Sequence, residues 1–96
     1  MIYPVIWTNA ALDDLLAIEE FLGEGALAEK VIDNLIARAE QIQLFPLSGT
    51  QMVTSQNREY RFLVEGNYKI IYSFRAEKVS IHAIFDTRQD PNKLKI

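Results

Sequence analysis

The chain has 96 residues, 49% hydrophobic and 24% charged, enough for a single domain spanning residues 1–96 with a modest core and a net stability on the order of 5–10 kcal/mol. It has no cysteine, which excludes disulfide staples and thiolate chemistry; no apolar run approaches the roughly 20 residues that cross a bilayer, and MIYPVIWTN lacks the basic and apolar regions of a signal peptide, so a cytoplasmic protein without membrane contact is expected. The net charge of −3 argues against a dedicated nucleic-acid binder, but residues 1–45 hold eight acidic and two basic side chains while residues 46–96 hold five acidic and eight basic ones, so the chain is electrically two-sided.

Ile2 to Trp7 is a short apolar run that predicts an edge strand, because Pro4 within it cannot donate to an interior ladder. Thr8 or Asn9 is positioned to cap the next element, a helix from Ala10 to Leu22 in which Ala11, Leu15, Ile18 and Leu22 recur at helical spacing. Asp13 and Asp14 lie near its positive end, and Gly23 and Gly25 break it. A second helix, Ala26 to Leu44, carries Ala28, Val31, Leu35, Ala39 and Ile42 on its apolar stripe, widened by Ile32 and Ile36. It stops at Phe45-Pro46, since the residue before a proline is pushed out of the helical region. Pro46 to Asn57, with Ser48-Gly49 inside it, is expected to be a polar loop.

Tyr60 to Arg88 predicts three antiparallel strands joined by turns at Glu65-Gly66-Asn67 and Ala76-Glu77. Strict alternation puts Tyr60, Phe62, Val64, Tyr68, Ile70, Tyr72, Phe74, Val79, Ile81, Ala83 and Phe85 on one face, which the two helices would cover. A two-residue loop at Ala76-Glu77 pairs Phe74 with Val79, Tyr72 with Ile81 and Ile70 with Ala83. The other face is mixed, with Arg61, Leu63, Lys69, Ile71, Ser73, His82, Ile84, Asp86 and Arg88, and is where function is expected. The remaining QDPNKLKI is too short for a substantial helix.

Individual side chains that carry chemistry are few. His82 is the only histidine, and its ordinary pKa suits a general base, but a position opposite Ile71 in mid-strand favours a structural or partner-binding role. Without a second histidine or a cysteine, no zinc site is expected. Asp13, Asp14, Glu19 and Glu20 point in different directions around a helix and read as a solvated face rather than a metal cluster. Trp7 and the tyrosines are possible base-stacking platforms, yet Tyr60, Tyr68 and Tyr72 fall on the face assigned to the core.

The pieces VIWTNAALDDLLAIEEF, FPLSG, REYRFLVEGNYKIIY and IFDTRQDP, in that order and spacing, resemble the toxins of the RelE/ParE superfamily from bacterial type II toxin–antitoxin (plasmid stabilisation) modules. The resemblance implies an α+β fold: an N-terminal strand, an antiparallel helical hairpin, then a three-strand antiparallel meander. It implies a toxin neutralised by a cognate antitoxin, with operator DNA reached only through that antitoxin and with no cofactor. The superfamily divides mainly into ribosome-dependent mRNA endonucleases (RelE-like) and inhibitors of DNA gyrase (ParE-like).

In the cleaving branch, basic residues of the sheet and a C-terminal tyrosine supply the chemistry. Lys69, in YKIIY, stands where that branch has an arginine; Arg88 matches a basic residue at the end of the last strand to within one position, and Arg61 approximates one on the preceding strand. These three are the catalytic candidates if the chain is a nuclease, but no tyrosine follows Tyr72. Arg61, Lys69 and Arg88 can equally form a protein-contact patch, or pair with Glu65 and Asp86. The short tail, the missing tyrosine and the net negative charge favour the ParE-like reading. Arg61, Leu63, Lys69, Ile71, His82, Ile84 and Arg88 are then the expected target- or antitoxin-binding surface. The alternatives are a RelE-like endonuclease acting on ribosome-bound mRNA and a degenerate, non-toxic antitoxin-binding protein.

Overall fold

The computed structural model describes residues 1–53 and 58–94. The order of elements is strand β1 (Val5–Trp7), helix α1 (Asn9–Leu22), helix α2 (Ala26–Ile42), and strands β2 (Thr50–Val53), β3 (Glu59–Glu65), β4 (Tyr68–Arg75) and β5 (Lys78–Asp86), closed by a short 3-10 turn at Pro91–Lys93. The strands form one mixed sheet in the order β1-β5-β4-β3-β2, with β1 parallel to β5 and the other pairs antiparallel. The expected α+β architecture is present, and the meander is extended by one strand at each edge.

Helix α1 starts and stops for local reasons. Thr8 caps α1: its Oγ1 accepts from the Ala11 N–H at 3.2 Å and donates to the Ile81 carbonyl at 2.9 Å, which also ties the helix start to β5. Gly23 ends α1 with φ +76°, a conformation open to glycine at little steric cost. Edge strand β1 begins just after Pro4, whose carbonyl accepts from the Val79 N–H at 2.9 Å. A proline is compatible with this place because only its carbonyl is used.

Three features depart from the sequence reading. The expected loop Pro46–Asn57 contains strand β2, which pairs Thr50 with Phe62 and Met52 with Tyr60; residues 54–57 of that loop lie outside the described residues. TQMV has no alternating pattern of its own, and its strand conformation comes from the ladder offered by β3.

The β3–β4 turn is a two-residue loop, Gly66-Asn67, rather than a three-residue one, so Glu65 pairs with Tyr68, Leu63 with Ile70 and Arg61 with Tyr72. A slip of one residue transfers a whole strand's side chains to the opposite face. Arg61 and Leu63 therefore lie on the helix side, and Tyr60 and Phe62 on the other.

A bulge interrupts the β4–β5 ladder. Phe74 pairs with Val79 and Tyr72 with Ile81, as expected, but Ile71 then pairs with Ala83 and Ile70 with Ile84, leaving His82 as the extra residue. Ile84 moves under the helices, while Ala83 and Phe85 move to the outer face. The second turn, Ala76-Glu77, has φ of +50° and +59°. Those values match the primed hairpin turn that joins twisted strands, at a cost of roughly 1–2 kcal/mol per non-glycine residue.

The main core lies between the helices and the sheet. Ala11 and Ile18 of α1 and Leu35, Ala39 and Ile42 of α2 meet Tyr68, Ile70, Tyr72, Val79, Ile81 and Ile84. A smaller cluster sits on the outer face, where Tyr60, Ile71 and Ala83 are buried among Met52, Phe62, Phe85 and Leu94. Tyr72 joins the α2–β2 connection to the core: its hydroxyl donates to the Pro46 carbonyl at 2.8 Å and accepts from the Gly49 N–H at 2.9 Å.

Candidate functional site

The outer face of β3, β4 and β5 carries aromatic rings with cations set against them. Lys69 Nζ lies 4.5 Å from the centre of the Phe62 ring, and Lys69 pairs across the ladder with Phe85. The Arg75 guanidinium lies 5.6 Å from the centre of the Tyr60 ring and donates to the Glu59 carbonyl at 3.0 Å. His82 meets Tyr60 edge-on at 4.9 Å, and its Nε2 is 2.7 Å from Ser73 Oγ. Cation–π contacts of this kind are worth about 0.5–1 kcal/mol each where solvent reaches them. They also hold the charges at fixed positions over an apolar floor.

Burial, and secondarily the charge of Arg75, hold the His82 imidazole below its ordinary value of 6.5. The neutral ring is the form the fold prefers. A depressed pKa contributes stability that is present above the unfolded value and is lost as pH falls from about 6.5 through the folded value. Urea unfolding at pH 7.5 and 5.5 is therefore expected to show a loss of stability on acidification that is smaller in His82→Gln. Identical pH dependence in the two proteins would remove His82 as a sensor of acid.

The seven expected binding residues divide between both faces. Lys69 and His82 lie on the outer face, half-buried. Ile71 is on that face but fully buried, so it forms the floor rather than a contact surface. Leu63 packs against the main core and Ile84 is buried within it. Arg61 donates through Nη1 to the Leu47 carbonyl at 3.1 Å and the Gly49 carbonyl at 2.9 Å, on the helix side. Arg88 donates through Nε and Nη2 to the two carboxylate oxygens of Asp86, at 3.0 and 2.8 Å. This pair raises the Arg88 pKa and, through the same hydrogen bonds, holds the Asp86 carboxyl below its ordinary value.

Lys69 and Arg61 thus occupy opposite faces, and the suggested trio with Arg88 does not form one cluster. Pairing with Asp86 accounts for Arg88, whereas Arg61 serves backbone carbonyls rather than Glu65. Phe62, Phe85, Tyr60 and Arg75 were not among the expected site residues. Gly66-Asn67 between two apolar runs is itself a two-residue hairpin signal, and the register it sets would have placed Tyr60 and Phe62 on the outer face.

The helix carboxylates also divide. Asp13, Glu19 and Glu20 are exposed, but Asp14 is partly buried, and its Oδ2 accepts from the Ile84 N–H at 3.0 Å, beside the bulge. Among the described residues no three His, Cys, Asp or Glu side chains gather where a metal could be held, and no helix is long and apolar enough to cross a membrane.

The family model described as "ParE toxin of type II toxin-antitoxin system, parDE" matches residues 5–91. Among solved structures, the fold is similar to a chain of the "Chromosomal ParDE TA system from P. aeruginosa", with a TM-score of 0.74 and 18% sequence identity, over 91% of this chain and 98% of that one. At that identity the likeness is one of fold. No curated protein sequence matches the chain.

Proposed function

The chain belongs to the ParE toxin family of type II toxin–antitoxin (parDE) systems, and from that premise we propose that it arrests growth in the cytoplasm by binding DNA gyrase and is neutralised by a cognate antitoxin seated on the outer sheet face. The observation that carries this reading is the pairing of Lys69 with Phe62 and of Arg75 with Tyr60 on a largely apolar face that also holds the Ser73–His82 pair. Fixed cations over aromatic and aliphatic side chains suit an acidic, amphipathic segment, which buries the apolar groups and matches the charge.

Binding also fits better than catalysis. Cleavage of RNA needs a base, an acid and clustered cations around one phosphate. Here Arg61 and Arg88 are engaged away from Lys69. Occupying a protein surface requires only shape and complementary charge.

Induced expression is expected to halt growth, and co-expression of an adjacent gene for a small acidic antitoxin to restore it. Purified protein added to gyrase and plasmid is expected to inhibit supercoiling or trap cleaved DNA while leaving ribosome-bound mRNA intact. Codon-dependent mRNA cuts with gyrase unaffected would establish the endonuclease instead. Normal growth at confirmed soluble expression would establish a non-toxic antitoxin binder.

A further inference from the structure

A groove of about 430 Å³ lies between one flank of α1, residues 82–86 of β5 and the C-terminal turn. Ala10, Asp14, Ala17 and Phe21 recur at helical spacing along its helix wall. The two alanines leave the space, and Phe21, 77% exposed, stands at the wall with most of its ring uncovered. Phe85 and Leu94, both partly exposed, supply apolar surface opposite. The volume falls within the roughly 300–1,000 Å³ typical of ligand sites.

Asp14 is a partly buried carboxylate of this groove. One oxygen accepts the Ile84 N–H, and the other has no hydrogen-bond partner among the described residues. Burial pushes its pKa up, with Asp13 adding to the rise and the Ile84 N–H opposing it. Asp86, also in the groove, is already matched by Arg88. Lys93 on the opposite wall makes no ion pair with Asp14, and His82 is held toward its neutral form by burial.

We propose that this groove receives an arginine side chain from a protein partner, its stem along Ala17 beside Phe21 and its guanidinium on Asp14. A guanidinium supplies parallel donors to a carboxylate, which an ammonium does not. This surface adjoins the cationic outer face, sharing His82, Ala83, Phe85 and Leu94 with it, and takes the opposite charge. It does not depend on the toxin reading, because a non-toxic chain has the same groove.

The test is a titration of the isotope-labelled full chain, followed by amide NMR, with acetyl-Ala-Leu-Arg-Leu-Ala-amide and with the same peptide carrying neutral, isosteric citrulline. Saturable shifts are expected at Ala17, Phe21 and Ile84, with the citrulline peptide about tenfold weaker. Asp14→Asn keeps an acceptor for Ile84 and should abolish the preference for arginine. Ala17→Phe, at an exposed position, should fill the groove and block both peptides while Asp14 stays in place. Equal affinities for the two peptides, no saturable shift with the arginine peptide, shifts centred on Phe62 and Lys69, or an arginine preference that survives either substitution would overturn the proposal.

Discussion

Replacing Tyr72 by alanine is expected to destabilise the domain by roughly 3–5 kcal/mol, the range for deleting a large buried aromatic side chain, and so to remove much of the stability of a chain this small. Tyr72 is fully buried at the centre of the main cluster. Its ring fills the core, while its hydroxyl satisfies the Pro46 carbonyl and the Gly49 N–H. The two roles are separable. Tyr72→Phe keeps the ring but leaves two backbone groups without a partner, at a cost of about 1–3 kcal/mol. Gly49→Ala approaches the same contact from the other side, because a Cβ there would lie 2.6 Å from the Tyr72 hydroxyl and 3.0 Å from the Phe62 carbonyl. Urea melts of the three variants check the assignment, with Tyr72→Phe and Gly49→Ala expected to be less than additive when combined, since both disturb one contact. If Tyr72→Phe melts like the parent, the loop is held without the hydroxyl, by Arg61 through its bonds to the Leu47 and Gly49 carbonyls and by the β2–β3 ladder.

What the sequence made legible follows from which signals are local. Both helices were readable because their apolar spacing and their breakers act within a few residues; the second ends at Ile42, two residues before the expected stop. The β4–β5 register was readable from the turn as far as Ile81. Beyond it the chain runs His82-Ala83-Ile84-Phe85, three apolar residues in succession, and alternation no longer distinguishes one face from the other. The bulge there is accompanied by a hydrogen bond from Ile84 to Asp14, 70 positions away, which no local pattern announces. Lys69 and His82 were placed on the outer face, but His82 was set opposite Ile71, where the structure has Ala83 and leaves His82 as the extra residue of the bulge. Phe62 and Tyr60 were misplaced by a single residue in one turn. The fold survives such a slip in its reading, because topology rests on element order; the site does not, because it rests on side-chain parity.

Reversing both cations of the outer face, Lys69→Glu with Arg75→Glu, is expected to weaken antitoxin binding at least a hundredfold, about 2.7 kcal/mol. Each cation sits over a ring, so a docked segment would cover the ring and face the charge at close range. Glutamate at either position would then oppose an acidic segment in a site from which water has been excluded. The domain itself should stay folded, because neither residue belongs to the buried clusters and the losses are one cation–π contact at each position and, at Arg75, the hydrogen bond to the Glu59 carbonyl. Arg88→Ala is the control of choice. Arg88 is a cation just beyond the end of β5, but Asp86 matches its charge, and its removal is expected to change binding by less than about twofold. Calorimetric titration of the antitoxin into the parent and both variants measures the difference directly. A hundredfold loss with Arg88→Ala and little change with the double reversal would move the docking surface to the end of β5, with the outer face left as a second, partly covered core.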